Sequence, residues 1–555
     1  MHYHFYGKKH KNVKVKKWIE NQMFKGDGIM VKWLILVAYL LLMVGIGIYC
    51  SKKTSNVSDF VLGGRSIGPW FSAFAFGTSY FSAVVFIGYA GQFGWTYGIS
   101  ASWIGLGNAL IGSLLAWLIL GRRTRTMTKH LDATTMPEFF EKRYDSNKLK
   151  IVASLIVFLF LIPYTASVYN GLSRLFESTL HIPYIYCIII MALFTAIYVI
   201  AGGFHATALN DFIQGMIMIA GILAVVITIV FKAGGFTEAI KSLNATPDDA
   251  GNLNTLGSVF GPKPFDLLGV VVLTSLGTWG LPQMIQKFYS ISDDGAIKRG
   301  TVISTVFAVI ISGGCYFIGG FGRLFATEGE ATGIMAHIDR LPNGKLEFDA
   351  IVPSMLQTAL PEALLGLIVV LVLAASMSTL SSLVLTSSST LTLDLIKPAA
   401  LKKGKEFDEK KQVLIIRVFI ALFLILSVIM AAFKNAYITT LMSISWGALS
   451  GSFLAPFLLG LYSKKITPAA VGACFGFAVL FTLTHTALFL MGWFPGVVEA
   501  VKGLNLPFSI NSPLNAGAFC MLFGLILCPI VSSFTKVKDE KKVDEIFTCY
   551  SEKAE

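Results

Sequence analysis

Charged side chains are scarce in this sequence. Asp, Glu, Lys and Arg together make up 14% of the 555 residues, whereas about 25% is usual in soluble proteins. Hydrophobic residues reach 54%, and a chain this long with so few charges cannot cover the surfaces of several soluble domains. The composition therefore excludes an array of soluble domains and predicts a polytopic helical membrane protein.

Cysteine and histidine patterns are also missing. The seven cysteines form no CxxC pair, six of them lie in or beside apolar segments, and the eight histidines are scattered. Neither a disulfide framework nor a metal cluster is expected from such a distribution. The sequence also lacks paired carboxylates, a Cys/His/Asp set and a phosphate-binding loop at any plausible site. We therefore expect that the protein is not an enzyme.

Apolar segments recur along the chain, and each is long enough to cross a hydrocarbon core of about 30 Å as a helix. They predict an all-α polytopic membrane protein with about 13 transmembrane helices. The segments lie at approximately 31–50, 69–90, 101–120, 150–174, 184–201, 212–231, 266–286, 300–323, 364–395, 412–433, 437–462, 467–491 and 513–534.

Lys and Arg concentrate in alternate loops between these segments. Loops 51–66, 121–149 and 396–411 are basic, whereas loops 175–183 and 492–512 contain few basic residues. Because basic loops remain in the cytoplasm, we predict a multi-pass protein of the plasma membrane with its N-terminus outside and its C-terminus cytoplasmic. The formal charge of +13 is then a consequence of topology and does not indicate nucleic-acid binding.

The basic leader, residues 1–30, conflicts with this topology because it is placed outside. Met30 directly precedes the first apolar segment. The chain therefore has two candidate start positions, Met1 and Met30, and the leader is not translated if Met30 is used.

Two apolar segments are interrupted by residues that weaken helices. The second contains Gly77, and the seventh contains Gly277, Gly280 and Pro282. Glycine and proline weaken helical hydrogen bonding and leave backbone carbonyls without a donor, and lipid cannot supply one. Each interruption alone fits a packing kink. A matched pair five helices apart is typical of a transporter built from inverted repeats, whose binding site lies at the breaks.

Hydroxyl side chains cluster in the ninth segment. Ser378, Ser381 and Ser382 share one helical face, and Thr379 lies beside them. The cluster offers oxygen ligands to Na⁺, although small hydroxyl residues also let helices pack closely or bond back to the preceding turn. Asp211 presents a similar choice, since it either caps a helix or lies on an ion path.

Four stretches in this order resemble the sodium:solute symporter family, across about residues 31–534. They are Leu-Gly-Gly-Arg-Ser-Ile-Gly at 62–68, Met-Pro-Glu-Phe-Phe-Glu-Lys-Arg-Tyr at 136–144, Gly-Gly-Phe at 202–204 with Asp211 and Gln214, and Ala-Ser-Met-Ser-Thr-Leu-Ser at 375–381. The resemblance implies a leucine-transporter-like fold with a five-plus-five inverted repeat. The implied units are a first helix at 31–50, repeats at 69–231 and 266–462, two C-terminal helices at 467–534 and a cytoplasmic tail at 535–555.

The resemblance also implies ion ligands, so Na⁺ is the expected co-transported ion. The family's Na⁺ site corresponds to backbone carbonyls of Thr78, Phe81 and Ala375 and to the hydroxyls of Ser378 and Thr379. Some relatives bind a second Na⁺, so the resemblance is compatible with either one or two Na⁺ ions per transport cycle. The residues that correspond to that second site, or to an ion exit, are Asp211, Ser378, Ser381 and Ser382.

The resemblance is less specific for the solute. The proline symporters carry an Asp where this chain has Tyr80, and Trp and Tyr where it has Thr274 and Thr278. The pantothenate branch is similar in Thr-x-Tyr at 78–80 and in Gly-Leu-Pro at 280–282. The candidate substrate-binding residues, each of which also suits packing beside a kink, are Tyr80, Ser82, Thr274, Thr278 and Trp279.

Together these features predict a secondary active symporter. It would couple inward Na⁺ movement to uptake of a small polar organic solute (a carboxylate, a vitamin or an amino acid, such as pantothenate or proline) by alternating access. The expected partners are the solute, Na⁺ and the lipid bilayer, with no nucleic acid and no obligate protein partner. The alternative is a solute-sensing membrane receptor or a channel without uphill transport, but the sequence contains neither an output domain nor a pore-lining repeat.

Overall fold

The computed structural model describes residues 27–51, 56–327, 336–338, 340, 346–404, 406–433, 437–504 and 506–551. The predicted leader up to residue 26, including Met1, lies outside these ranges. The described chain is almost entirely helical, with one parallel pair of two-residue strands, β1 Ala326–Thr327 and β2 Ala336–His337.

The α-helices are numbered in chain order. The first part of the chain contains α1 Asp27–Ser51, α2 Val57–Leu62, α3 Pro69–Tyr80, α4 Ala90–Tyr97, α5 Ser102–Gly107, α6 Arg122–His130, α7 Met136–Tyr144, α8 Asn147–Leu180, α9 Tyr184–Lys232 and α10 Phe236–Ala245. The middle contains α11 Pro264–Leu276, α12 Pro282–Tyr289, α13 Asp294–Gly319, α14 Gly322–Phe325, α15 Ile351–Ala359, α16 Glu362–Thr390 and α17 Lys397–Lys402. The last part contains α18 Glu409–Ala432, α19 Ile438–Tyr462, α20 Pro468–His485, α21 Pro495–Lys502, α22 Pro513–Phe534 and α23 Glu540–Phe547.

Short helical stretches of other types connect or extend these helices. The π-helical stretches are Val84–Tyr89, Asn108–Leu115, Trp117–Gly121, Leu391–Ile396 and Thr486–Leu490. The 3₁₀ turns are Gly63–Arg65, Gly98–Ala101, Gly277–Trp279, Phe348–Ala350 and Thr548–Tyr550.

The described residues contain ten helices that are long and apolar enough to cross a membrane, or eleven if the bent pair α11 and α12 counts as one span. The predicted number of thirteen is not confirmed. Two of the ten, Val84–His130 and Tyr184–Lys232, have 47 and 49 residues. Helices of this length extend roughly 70 Å at about 1.5 Å per residue, more than a single crossing needs. Each contains a glycine at positive φ, Gly98 and Gly203, where the helical dihedral angles are interrupted.

Both of the interruptions predicted from glycine and proline are present. After α3 ends, Phe81 is extended (φ −104°, ψ 93°), and helical structure resumes at Val84. After α11 and a 3₁₀ turn, Leu281 is extended (φ −79°, ψ 122°) and Pro282 begins α12. The two parts of this second helix are bent by 41°. Proline suits the first position of α12 because the amide it lacks has no partner within the helix there.

α16 lies at the centre of the bundle. In its most apolar stretch 89% of the residues are buried, against 28% in α18 and in α20, which present most of their surface outward. It packs against α1, α3, α8, α9 and α18. The hydroxyl cluster of α16 is therefore enclosed by protein, and its polar atoms must find their partners within the protein, on α16 or on neighbouring helices.

α4 and α13 approach each other closely where Gly94 faces Gly319. A Cβ atom added to Gly94 would lie 1.9 Å from the carbonyl oxygen of Gly319, which is backbone and cannot move aside as a flexible side chain can. Glycine is thus required at position 94 by contact with a neighbouring helix.

Candidate functional site

The hydroxyls of α16 face the broken end of α3. Ser378 Oγ donates to the carbonyl oxygens of Thr78 and Ala375, both at 3.0 Å. Thr379 Oγ1 donates to the same two carbonyls at 3.2 Å. All four residues are buried. The fifth residue of the predicted set, Phe81, is buried and extended at the break, but its carbonyl does not accept from either hydroxyl.

This arrangement joins two helices through oxygen atoms alone. Thr78 lies in the last turn of α3, where the break leaves carbonyls without the usual helical partners. A hydroxyl can turn its proton away and present a lone pair. Two hydroxyls and two carbonyls can then coordinate a cation, as unwound backbone and helix ends do for Na⁺ in transporters with broken helices.

The residues predicted for a second ion are arranged differently. Ser381 Oγ donates to the carbonyl of Ser378 at 2.8 Å, so it bonds back to its own helix. Asp211 and Ser382 meet through Lys287 of α12. Lys287 Nζ lies 3.5 Å from Asp211 Oδ2 and donates to Ser382 Oγ at 2.9 Å.

The capping interpretation of Asp211 is wrong. Asp211 lies inside α9, eight residues after the break at Gly203, and is fully buried. It lies too far into the helix to cap its first turn, where orphan amides need a partner. Sequence hydropathy placed the start of this helix too late because Thr207, Asn210 and Asp211 are polar, although all three are buried against neighbouring helices.

Lys287 was missed by the sequence analysis. The seventh apolar segment was ended at 286, which assigned Lys287 to the following loop, whereas α12 continues to Tyr289 and buries every residue from Pro282 onward. The signal was available, since a helix period carried past Pro282 places Gln283 and Lys287 on one face of a buried helix.

The candidate solute residues lie at the two breaks, but they do not converge on one point. Tyr80 OH donates to the carbonyl of Thr274 at 2.6 Å, which joins α3 to α11. Thr278 Oγ1 and Trp279 Nε1 instead donate to carbonyls of the stretch Asn108–Leu115, at 3.1 and 3.0 Å. Ser82 Oγ accepts from the Val84 amide at 3.2 Å, beside the point where helical structure resumes.

Aromatic side chains that the sequence analysis did not select surround Tyr80. Its ring stacks on Phe81 with centroids 4.2 Å apart, and Trp446 of α19 lies 6.3 Å away. Tyr164 of α8 contacts Trp446 edge-on at 5.9 Å. Trp446 Nε1 and Tyr164 OH are buried and have no hydrogen-bond partner among the described residues. No local pattern marks these two residues, since helices of this kind contain many aromatics.

Ionic and polar contacts join α8, the turn before α15 and the start of α19. Arg174 of α8 pairs with Glu347 at 2.6 Å. Asp349, in the turn before α15, accepts from the amide of Ile438 at the start of α19, at 3.3 Å. Burial raises the pKa of Asp349 to about 6, against the opposing effects of that amide and of Arg174.

The chain is similar to known membrane transporters along most of its length. The model of the sodium:solute symporter family matches residues 60–479. The chain is 30% identical over 431 residues to the osmoregulated proline transporter OpuE of Bacillus subtilis (strain 168), which covers 77% of this chain and 83% of the relative. It is also 30% identical over 510 residues to the sodium/proline symporter of Staphylococcus aureus (strain JH9), covering 91% and 93%.

Solved structures show the same fold at low sequence identity. A Na⁺-coupled sialic acid symporter in a substrate-bound outward-open state aligns with a TM-score of 0.70 at 18% identity, covering 92% of this chain and 99% of the other. MHP1, a transporter of the nucleobase-cation-symport-1 family, aligns with a TM-score of 0.51 at 14% identity, covering 89% and 100%. The predicted leucine-transporter-like architecture is that of these structures.

The family model covers most of the chain, and the two relatives match 77% and 91% of it. None of these similarities supports a receptor or a channel. The protein is a member of the sodium:solute symporter family that couples Na⁺ to the uptake of a solute across the membrane.

Proposed function

We propose that the coupling Na⁺ binds between the broken end of α3 and the middle of α16. Its ligands are the hydroxyls of Ser378 and Thr379 and the carbonyls of Thr78 and Ala375, with the Phe81 carbonyl completing the set. The observation that carries this assignment is the convergence of both hydroxyls on the single carbonyl of Thr78, at 3.0 and 3.2 Å. Because all these ligands are neutral, the ion is held weakly enough to be released in each cycle.

Na⁺ at this position favours one conformation of the transporter. It ties α3 to α16 and thereby fixes the break at Phe81, beside which the solute binds. Each ligand then binds more tightly when the other is present, since both favour the same conformation. The five-plus-five inverted repeat belongs to this proposal, and it is supported by the breaks at Phe81 and Leu281, one in each repeat.

The solute we propose is a small amino acid, with proline as the first compound to test. The relatives described above transport proline by name. The Tyr80, Phe81 and Trp446 rings provide an apolar surface that suits a compact ring. The helical stretch from Val84 to Tyr97 begins at the break, and its positive N-terminal end favours a carboxylate.

Uptake into sealed proteoliposomes tests this proposal. Purified protein is reconstituted, an inward Na⁺ gradient is imposed, and radiolabelled proline is measured inside, with pantothenate as the second solute. We expect proline to accumulate above its external concentration with Na⁺ outside and not with choline outside. Accumulation of pantothenate and not of proline would replace the proposed solute while leaving the ion coupling intact.

The proposed orientation has the N-terminus outside and the C-terminus in the cytoplasm. It is supported by the basic loops and by the exposed Lys402, the last residue of α17. The seven native cysteines are all buried, so single introduced cysteines report their own accessibility. In intact cells a membrane-impermeant maleimide should label Thr237→Cys, on the opposite side, and should label Lys402→Cys only after permeabilisation. The reverse pattern would invert the topology.

A further inference from the structure

A buried Lys–Asp pair lies where the family resemblance implied a second Na⁺. Lys287 Nζ is 3.5 Å from Asp211 Oδ2, and the two side chains are 4% and 0% exposed. A buried charge is costly unless an opposite charge compensates it. The two residues come from different proposed repeats, Asp211 from α9 and Lys287 from α12, so their pairing depends on how the repeats pack.

The surroundings of the ammonium group are those of a bound cation. Its Nζ donates to Ser382 Oγ at 2.9 Å, and that oxygen lies 2.7 Å from Ser79 Oγ. The Phe204 ring lies 5.1 Å from Nζ, within the range of a cation–π contact. A carboxylate, two linked hydroxyls and a ring face thus enclose one positive charge.

Asp211 depends on Lys287 for compensation. Neither carboxylate oxygen has a hydrogen-bond partner among the described residues, and Lys287 forms the ion pair with it. Ser382 lies one helical turn after Ser378, so this place is adjacent to the proposed Na⁺ site. Without the ammonium, a buried carboxylate and two hydroxyls would face an unoccupied cation position.

We propose that the Lys287 ammonium is a built-in cation that occupies the second ion position, so that the transporter binds one Na⁺ ion. A Na⁺ ion at this second position would lie directly beside the ammonium, and two positive charges in contact repel each other strongly in a buried site. The ammonium therefore excludes a second Na⁺. Removing the ammonium should turn the position into a Na⁺ site. The inference rests on the proposed first site at Ser378 and Thr379.

The test counts Na⁺ ions without requiring a known solute. Equilibrium binding of radioactive Na⁺ to the purified full-length protein is expected to give one ion per molecule. Lys287→Gln should give two, because Asp211, Ser382 and Ser79 are released for a second ion. Lys287→Arg keeps the charge and should give one. Each variant is checked for monodisperse elution before binding.

The outcomes separate this inference from the proposed first site. A count of two in the wild type, or of one in folded Lys287→Gln, overturns the inference. The combination of Ser378→Ala with Thr379→Ala should lower every count by one; if it does not, the first site is misplaced, while the comparison of wild type with Lys287→Gln still decides the role of Lys287.

Lys287→Gln leaves Asp211 unpaired and can therefore fold poorly. Thermal unfolding is a second measurement that requires less folded protein than ion counting. The Tm is compared in sodium chloride and in choline chloride. A larger Na⁺-dependent rise in Tm for Lys287→Gln than for the wild type supports the inference, because Na⁺ then replaces the lost ammonium. An equal or smaller rise contradicts it. If no variant protein is recovered, the wild-type count alone decides.

Discussion

Ser378 Oγ lies 3.0 Å from the carbonyl oxygen of Thr78, and this contact joins the centre of α16 to the last turn of α3 before its break. The contact spans 300 residues of sequence, and it is possible only because α3 stops two residues beyond Thr78. In the proposed mechanism this contact lets an ion bound at α16 influence the end of α3, 300 residues away in the sequence. The proposed ion ligand Thr78 and the proposed solute-binding residue Tyr80 belong to the same helix end.

Loss of the two hydroxyls should weaken Na⁺ binding. Each ligand contributes on the order of 1 kcal/mol, and about 1.4 kcal/mol corresponds to a tenfold change in affinity. We expect Ser378→Ala combined with Thr379→Ala to raise the Na⁺ concentration for half-maximal uptake by roughly tenfold or more. Ser376→Ala is the matched control, because Ser376 lies on another face of α16 and its Oγ donates a hydrogen bond to the carbonyl oxygen of Val372. Unchanged Na⁺ dependence in the double variant would contradict the site assignment.

Tyr80→Phe should weaken solute binding. The change removes the hydroxyl that donates to Thr274 O and leaves that buried carbonyl without this partner, at a cost of about 1–3 kcal/mol. We expect the KM for the solute to rise by about fivefold or more, with a smaller effect on Na⁺. Tyr462→Phe is the control, since Tyr462 OH donates to Ile119 O on an exposed surface. A KM equal to the wild type would show that the contact between the breaks does not shape the pocket.

Asp349 should make stability depend on pH between about 4 and 6. Burial raises its pKa to about 6, above the unfolded value of about 3.9. The native state therefore holds the proton more tightly than the unfolded state, and this stabilising contribution, up to about 3 kcal/mol, is present at low pH and lost as pH rises through 6. Asp349→Asn has no carboxyl to titrate, so its stability should not show this decrease as the pH rises.

The measurement for Asp349 is the Tm of wild type and Asp349→Asn in detergent from pH 4 to 7. The Tm of the variant should rise relative to that of the wild type across this range. A difference between the two proteins that stays constant from pH 4 to 7 would show that the carboxyl titrates alike in folded and unfolded protein.

Gly94→Ala should disrupt the bundle. The added Cβ would meet the backbone of Gly319 at 1.9 Å, so α4 and α13 would have to separate, at a cost of at least about 1–3 kcal/mol. We expect a lower Tm and a lower yield of monodisperse protein. Gly476→Ala is the control, because a Cβ there meets nothing within 4 Å and alanine favours the helix by about 0.5–1 kcal/mol. Equal losses in both variants would contradict the close approach.

Much of the fold was predictable because hydropathy and helix breakers act locally. The apolar segments marked the spans, and the residues at 77–82 and 277–282 marked the breaks, which the structure contains. The number of membrane-spanning helices was harder to predict from the sequence. In Tyr184–Lys232 the break is a single glycine at positive φ, Gly203, so the polar residues that follow it are helical and do not form a loop.

The proposed ion-binding region was only partly predictable. Helical spacing placed Ser378, Ser381 and Ser382 on one face with Thr379 beside them, and the family resemblance singled out Ser378 and Thr379. The structure brings these two hydroxyls to Thr78. Ser381 shares the same face, yet its hydroxyl bonds to its own helix. Spacing places side chains on a face of the helix, but it does not state which neighbour each one meets.

The sequence by itself determined that the protein is a polytopic helical membrane protein, where its helix breaks lie and which stretch carries the candidate hydroxyl ligands, because these follow from local composition and periodicity. Only the tertiary structure decided that Lys287 pairs with Asp211 and donates to Ser382. The reason is physical. A buried charge is tolerated only beside its counter-charge, and that proximity is set by the rotation and approach of three helices that are far apart in the chain.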